Sequence, residues 1–132
     1  GMRTDVGAIL RDAADVVVTS AREEALPLNV LEAQALGVPV VASDVAGHRE
    51  ATDGGRTAVL VPPDDPAALA DALVALAGDT ERRARLAAAG RHHVAERFAM
   101  ERYVAEFTAL YDELLAARPG AGPPRTGWTG PR

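Results

Sequence analysis

The feature that most limits how this chain can fold is a set of three short, valine-rich apolar runs. They span residues 15–19, 39–43 and 58–61, and stretches with helical patterns separate them. Continuous apolar runs of this length are typical of parallel strands that are covered on both faces. Parallel neighbours need crossover connections, which are usually helical and right-handed. The sequence therefore predicts an α/β fold, a doubly wound parallel sheet of about three strands.

The C-terminal part of this fold is predicted to be helical. Asp65 followed by Pro66 is an N-terminal signal, because aspartate caps free amides and proline suits the first helical position. Two more helices are expected at 80–98 and 100–117, each with apolar residues at helical spacing on one face. Earlier helices are expected at residues 6–13, 27–36 and 47–51.

Two glutamates stand beside the helix that follows the first strand. Glu24 lies in the loop before Pro27, and Glu32 lies about one and a half turns into the helix. Ligands bind at such strand ends, because unpaired amides and the helix dipole face the crevice there. A carboxylate accepts paired hydrogen bonds from vicinal diols, so the two glutamates suit a sugar nucleotide. The alternative is that both are solvated charges that favour the helix dipole.

Several short motifs follow one another in a fixed order along most of the chain. They are Ala-Asp-Val-Val-Val at 14–18, Glu-Ala-Leu-Pro at 24–27 with Leu-Glu-Ala at 31–33, Gly-Val-Pro-Val-Val-Ala at 37–42, Ala-Gly at 46–47 with Glu50, Asp-Gly at 53–54 with Leu-Val-Pro-Pro at 60–63, Asp-Pro at 65–66 with Ala-Leu-Ala at 68–70, and Glu-Arg-Phe at 96–98. In order and spacing they resemble the C-terminal, donor-binding domain of retaining, sugar-nucleotide-dependent glycosyltransferases of the GT-B fold, the group 1 or family 4 type. The resemblance implies a partial Rossmann-like fold.

The resemblance also implies roles for individual residues. In that family the first glutamate of a Glu-seven-residues-Glu motif contacts the transferred sugar and the second contacts the ribose, which match Glu24, the expected catalytic residue, and Glu32. Backbone amides of the adjoining residues would approach the sugar and diphosphate of a UDP-, GDP- or ADP-sugar. The chain departs from the family pattern at Ala25, where glycine is usual, and at Ala46. The residues expected to approach the donor through their backbone are Ala25, Leu26, Pro27 and Leu28.

The length predicts one domain, whereas the family has two domains with the reaction in the cleft between them. Residues 1–117 are therefore expected to form the second half of the donor-binding domain, without its first three strands and without the acceptor domain. The chain contains no lysine, so Arg22 is the candidate to hold the diphosphate, with a solvated surface charge as its alternative. Residues 118–132 are rich in proline and glycine and are predicted to be a disordered tail.

The strand at 15–19 is expected to have one unpaired edge, because its family neighbour is among the missing strands. An open apolar edge favours pairing with another chain, so a homodimer is predicted. Two functions follow. The first is the donor-binding portion of a glycosyltransferase, acting with a missing acceptor domain or partner chain. The second is an inactive remnant that binds nucleotide sugars weakly or serves as a dimerising scaffold.

Composition argues against several other functions. The chain has no cysteine, which excludes disulfides and thiolate chemistry, and it has no Asp-x-Asp motif, so neither a metal nor a cofactor is expected. A net charge of −5 argues against nucleic-acid binding. No run reaches transmembrane length and no signal peptide is evident, so a cytoplasmic location is expected. The histidines form no metal pattern: His48 is expected at a surface loop, and His92 and His93 are expected to face solvent.

Overall fold

A computed structural model describes residues 3–117 and contains every predicted helix and strand, with ends within two residues of those expected. The predicted disordered tail, residues 118–132, lies outside the described residues. In chain order the elements are α1 (Val6–Ala13), β1 (Val17–Thr19), α2 (Leu28–Ala35), β2 (Val40–Ser43), α3 (Ala46–Ala51), a 3-10 turn (Asp53–Gly55), β3 (Val59–Val61), α4 (Pro66–Gly78), α5 (Thr80–Arg97) and α6 (Met100–Ala116).

The three strands form one parallel sheet in the order β1-β2-β3, which confirms the predicted fold class. The central strand β2 pairs on both sides, and all four of its residues are buried. Its side chains alternate between the two faces of the sheet, as a period of two requires. Val40 and Ala42 pack in a cluster with α2, whereas Val41 packs on the opposite face with Leu76 of α4. The sheet is therefore covered by helices on both faces.

A buried glutamine connects the elements around the first of these clusters. Gln34 of α2 is 1% exposed, and its Nε2 donates to the carbonyl of Ala51 at 3.0 Å. Its Oε1 accepts a hydrogen bond from the Thr57 hydroxyl at 2.9 Å. Both ends of the side chain are thus satisfied, as a buried amide requires. Gly90 of α5 packs against it so closely that a Cβ there would lie 2.9 Å from the Gln34 Cγ.

The later helices begin as the sequence predicts. The Asp65 carboxylate accepts a hydrogen bond from the Ala68 amide at 2.9 Å, so it caps α4, with Pro66 in the first turn. Asp79 caps α5 in the same way, accepting from the Arg82 amide at 2.7 Å. Both aspartates satisfy amides that a helix start leaves unpaired.

Helix α6 belongs to a different compact unit from the sheet, since one unit ends at Phe98 and the next begins at Ala99. Taken by itself, α6 carries the predicted apolar stripe, and every residue of the helix is exposed. Three aromatic rings follow one another along the stripe at tilted angles, with centroids 4.4 Å apart between Tyr103 and Phe107 and 6.4 Å apart between Phe107 and Tyr111. Across residues 3–117, no helix combines the length and the hydropathy needed to cross a bilayer.

Replacing Gly90 by alanine should destabilise the fold, because the new methyl group would displace a side chain that is hydrogen-bonded at both ends. We expect the free energy of unfolding to fall by about 1–3 kcal/mol, the usual cost of overpacking a core. Urea denaturation followed by circular dichroism measures this. The matched control is Gly78→Ala in α4, where a Cβ meets nothing within 4 Å. That variant should be neutral or more stable, and equal effects at both sites would contradict the packing argument.

Candidate functional site

The carboxyl ends of the three strands lie along one edge of the sheet and border an open cleft of about 550 Å³. Thr19, Ser43 and Val61 end β1, β2 and β3 respectively, and all three line this cleft. The loop from β1 to α2 and the turn from β3 to α4 form its rim, with Arg22 on one side and Asp64 on the other. This is the edge at which parallel α/β folds bind ligands.

The loop that carries Glu24 is fastened at three points. The Ser43 hydroxyl accepts a hydrogen bond from the Ala21 amide at 3.3 Å. The Gly47 amide, in the first turn of α3, donates to the Glu24 carbonyl at 3.1 Å. At the far end, Asn29 Nδ2 donates to the Thr19 hydroxyl at 3.0 Å and so ties α2 to the end of β1. The loop is thereby held against the carboxyl ends of both β1 and β2.

The contact between α3 and this loop leaves no room for a side chain. A Cβ on Gly47 would lie 2.3 Å from the Glu24 carbonyl oxygen and 2.7 Å from that of Ala25. Both obstacles are backbone atoms, which cannot rotate away as a flexible side chain can. Glycine is therefore required at this position for space, and its amide reaches the loop only because nothing projects from its Cα.

The structure places the predicted donor-contacting loop residues on the surface. Glu24, Ala25, Leu26 and Leu28 are exposed, whereas Pro27 is buried and precedes α2 as its N-cap residue. The Glu24 Oε1 accepts a hydrogen bond from the amide of Ala25 at 2.9 Å, which folds the carboxylate back over its own loop. Among the described residues, its second oxygen has no hydrogen-bond partner.

The N-terminus of α2 offers hydrogen-bond donors to a ligand. The amides of Val30 and Leu31 both donate to the carbonyl of Pro27. Within the described residues the amides of Leu28 and Asn29 have no acceptor, as is usual for the first turn of a helix. Two free N–H groups and the positive end of the helix dipole thus lie directly after the Glu24 loop.

Glu32 lies apart from the cleft at the strand ends. Its exposed side chain borders a second, smaller pocket of about 360 Å³ between α1 and α2, together with Val6, Gly7 and Leu10. Neither Glu24 nor Glu32 is among the residues that line the cleft at the strand ends. One precedes the start of α2, and the other lies one turn farther along that helix.

Arg22 is exposed, as expected for a solvated surface charge, and it pairs with Asp64 across the cleft. Its Nη2 and Nε donate to the two carboxylate oxygens of Asp64, both at 3.1 Å, and so connect the two rims of the cleft. The side chains are 82% and 65% exposed, so the pair contributes at most about 1 kcal/mol of stability. Because this ion pair is weak, a phosphate can displace Asp64 from Arg22 at a small cost in free energy.

Two of the histidine predictions are wrong. His48 is fully buried, and its Nδ1 lies 2.7 Å from the carbonyl oxygen of Ser43. The signal that was missed is its spacing of three residues from Ala51, which places both on the inner face of α3. His93 is half-buried, with its ring edge-on to Phe98 at 5.5 Å, because one face of α5 packs on the domain. His92 does face solvent, 3.3 Å from Glu96.

An ion pair lies at the junction between β2 and α3. Arg49 Nη2 donates to the Asp44 carboxylate at 2.8 Å, and this hydrogen bond holds the pKa of Asp44 below its ordinary value. The pKa of Arg49 is raised by the same hydrogen bond. Both groups therefore stay ionised at neutral pH and bridge the turn that leads into the helix carrying Gly47.

Comparisons with known proteins agree with this architecture. The model of the family described as Glycosyl transferases group 1 matches residues 1–79. D-inositol 3-phosphate glycosyltransferase from Xylanimonas cellulosilytica is 42% identical over 107 residues, covering 81% of this chain and 25% of that protein. Sucrose-phosphate synthase from Thermosynechococcus elongatus aligns with a TM-score of 0.80 at 33% identity, over 89% of this chain and 29% of the other. HepE from Anabaena, solved in complex with UDP-glucose, gives a TM-score of 0.74 at 27% identity, over 89% and 31%.

The parallel sheet with helices on both faces corresponds to part of a GT-B glycosyltransferase fold, as the alignment with sucrose-phosphate synthase shows. The chain belongs to the glycosyltransferase group 1 family, as the match over residues 1–79 shows. It spans about a quarter of the length of the curated relatives it matches.

Replacing Gly47 by alanine should detach the Glu24 loop from α3, because the methyl group and the loop backbone cannot occupy the same space. We expect a loss of about 1–3 kcal/mol in the free energy of unfolding, together with faster amide exchange in residues 21–25. The control is Gly7→Ala, since a Cβ at Gly7 in α1 meets nothing within 4 Å. Wild-type exchange in the loop of Gly47→Ala would contradict the close contact.

Proposed function

We propose that the β1–α2 loop and the start of α2 bind the donor of a glycosyltransferase that transfers a sugar from a nucleotide sugar to an acceptor with retention. The observation that carries this proposal is the pair of free amides at Leu28 and Asn29 directly after the exposed carboxylate of Glu24. Free amides suit a diphosphate, and a carboxylate suits sugar hydroxyls. The fastened loop keeps these groups in fixed positions, which lowers the entropy lost when a donor binds.

Each group has a defined part in the proposed reaction. The bond between the anomeric carbon and the diphosphate oxygen breaks, and an acceptor hydroxyl oxygen forms the new bond on the same face of the sugar, while its proton passes to the leaving diphosphate. The leaving nucleoside diphosphate gains negative charge, which the amides and dipole of α2 stabilise. Glu24 holds the sugar through its hydroxyls, and the backbone of residues 25–28 approaches the sugar and diphosphate. Glu32 holds the ribose, in the pocket between α1 and α2.

Arg22 extends this site toward the cleft. Its pairing with Asp64 is exposed and weak, so its guanidinium is available to turn to a diphosphate, for which its planar fork is well matched. The HepE structure contains UDP-glucose, which makes UDP-glucose the first donor to test, ahead of GDP- and ADP-sugars. Residues that bind the acceptor and the base are proposed to lie on other parts of a longer protein or on a partner chain.

We also propose that β1 pairs with a second copy of the chain. In the described residues β1 has a neighbour only on its β2 side, and Val18 is 45% exposed. An edge with unpaired amides and apolar side chains favours such pairing. This edge also favours the alternative function, a dimerising scaffold that binds nucleotide sugars weakly. The predicted cytoplasmic location stays a prediction.

Light scattering coupled to size-exclusion chromatography tests the dimer. We expect a mass near twice the 13.7 kDa of the chain at high concentration. Val18→Lys should convert it to a monomer, because a charge on an edge strand opposes pairing. Val74→Lys is the control, since Val74 is 74% exposed on α4, away from the sheet edge. A monomer at all concentrations would exclude the dimer.

Calorimetric titration tests donor binding. We expect UDP-glucose to bind with a Kd clearly below about 1 mM, which corresponds to more than about 4 kcal/mol of binding free energy. Glu24→Ala should reduce the affinity for UDP-glucose but not for UDP, because Glu24 contacts only the sugar. Glu32→Ala should weaken both ligands, because both contain the ribose.

The matched control for these variants is Glu23→Ala, which removes an exposed carboxylate next to Glu24 without touching either proposed contact. It should bind both ligands as the wild type does. Binding weaker than about 1 mM, or equal losses in all three variants, would contradict the proposed site and favour the scaffold.

A further inference from the structure

His48 is a buried polar residue that uses only one of its two ring nitrogens for hydrogen bonding in the described residues. The residue has no exposed surface, and its Nε2 is buried without a hydrogen-bond partner in the described residues. A buried, unpaired polar atom costs stability, whereas an apolar side chain of similar size would not. The bond made by the other ring nitrogen is therefore the feature that distinguishes this histidine from an apolar residue.

That bond ends on the residue to which the candidate donor loop is attached. Nδ1 lies 2.7 Å from the carbonyl of Ser43, and since a carbonyl only accepts, Nδ1 carries the proton and donates. The hydroxyl of the same serine accepts from the Ala21 amide of the loop. Next to His48 along α3, the Gly47 amide donates to the loop carbonyl of Glu24. Ser43 and α3 thus hold the loop at two points, and His48 joins them.

The His48 bond is one of two side-chain contacts between the first turn of α3 and the end of β2, the other being the pair of Arg49 with Asp44. Helix α3 has only six residues, and its N-cap residue, Val45, provides no side-chain hydrogen bond. A helix this short is marginal without tertiary contacts. The imidazole fastens its first turn to the end of β2. At the other end, the hydroxyl of the C-cap residue Thr52 donates to the His48 carbonyl at 2.6 Å, a bond within the helix itself. A small shift of the first turn would break the contact between Gly47 and Glu24.

We propose that His48 is a positioning residue for the donor loop. Its Nδ1–H bond to the Ser43 carbonyl sets the first turn of α3 so that the Gly47 amide holds the Glu24 carbonyl, and with it the Glu24 carboxylate. His48 touches no donor and acts only through the loop. This inference rests on the proposed function for its consequence in binding, and its structural part is testable without any ligand.

Two variants of His48 separate its hydrogen bond from its bulk. In His48→Asn the amide nitrogen is attached to Cγ, as Nδ1 is, so it still donates to Ser43. In His48→Gln the nitrogen is one bond farther out and cannot donate with the same geometry. Amide hydrogen exchange of Gly47 in the full chain, measured by NMR, is the readout. The amide of Ala42 in β2 is the reference for global stability.

The expected result is specific to the loop. Relative to Ala42, protection of the Gly47 amide should fall roughly tenfold in His48→Gln, which corresponds to about 1.4 kcal/mol, and by no more than about threefold in His48→Asn. Unchanged relative protection in His48→Gln, or equal losses at both amides in both variants, would overturn the proposal. The wild type gives an independent check if a variant does not fold. Its His48 nitrogen shifts should show the proton on Nδ1, and a proton on Nε2 would overturn the proposal as well.

A binding measurement separates this inference from the proposed function. If the wild type binds UDP-glucose, His48→Gln should lower the affinity for UDP-glucose more than the affinity for UDP, because the loop carries the sugar contact. In His48→Asn both affinities should be close to those of the wild type. Uniform weakening of both ligands would contradict a role in positioning Glu24. If the wild type binds neither ligand, the proposed function fails, and the exchange result still decides whether His48 positions the loop.

Discussion

The rest of this structure depends on the burial of a single four-residue strand. β2 is paired on both sides, and each of its residues is buried, so its side chains alternate between two separate clusters. A strand in this position allows no shift of register, because a slip by one residue would exchange the side chains of the two faces. With β2 fixed, the helices on both faces and the strands on both edges have defined places.

The candidate site follows from where β2 ends. Ser43 is its last residue and is buried, with only 5% of its surface exposed, so its hydroxyl and its carbonyl both need hydrogen-bond partners from the protein. The hydroxyl accepts from the loop that carries Glu24, and the carbonyl accepts from the ring of His48. The two hydrogen bonds of the buried Ser43 thereby position both the Glu24 loop and helix α3. The exposed carboxylate of Glu24 and the free amides of Leu28 and Asn29 are thereby held near that loop and helix without being buried themselves.

Much of the fold could be predicted because each element has a local signal. The valine runs indicate buried parallel strands, and Asp65 with Pro66 marks a helix start by its own chemistry. The interior polar contacts carry no such signal. In the sequence, Gln34 looks like an ordinary helix residue. Its burial and its two hydrogen bonds depend on Ala51 and Thr57, which belong to other segments of the chain. Arg22 and Asp64 are 42 residues apart, a separation that no local pattern spans.

The same limit applies to the candidate site. The position of Glu24 and the start of α2 at Pro27 follow from the sequence, because a loop between a strand and a helix is local. The placement of Glu32 beside α1, away from the cleft, depends on how two helices pack. The burial of His48 depends on the turn after β2, which brings a short helix back onto the strand end. Both the placement of Glu32 and the burial of His48 depend on tertiary contacts, which local sequence patterns do not reveal, so neither could be predicted.

We proposed that a nucleotide sugar binds where the Glu24 loop meets the start of α2. NMR mapping of backbone amide shifts during titration with UDP-glucose tests this binding most directly. We expect the largest shifts at the amides of Ala25, Leu28 and Asn29, with smaller ones at Gly47 and little change in α5. Shifts confined to other elements, or no shifts at millimolar UDP-glucose, would contradict binding at this place.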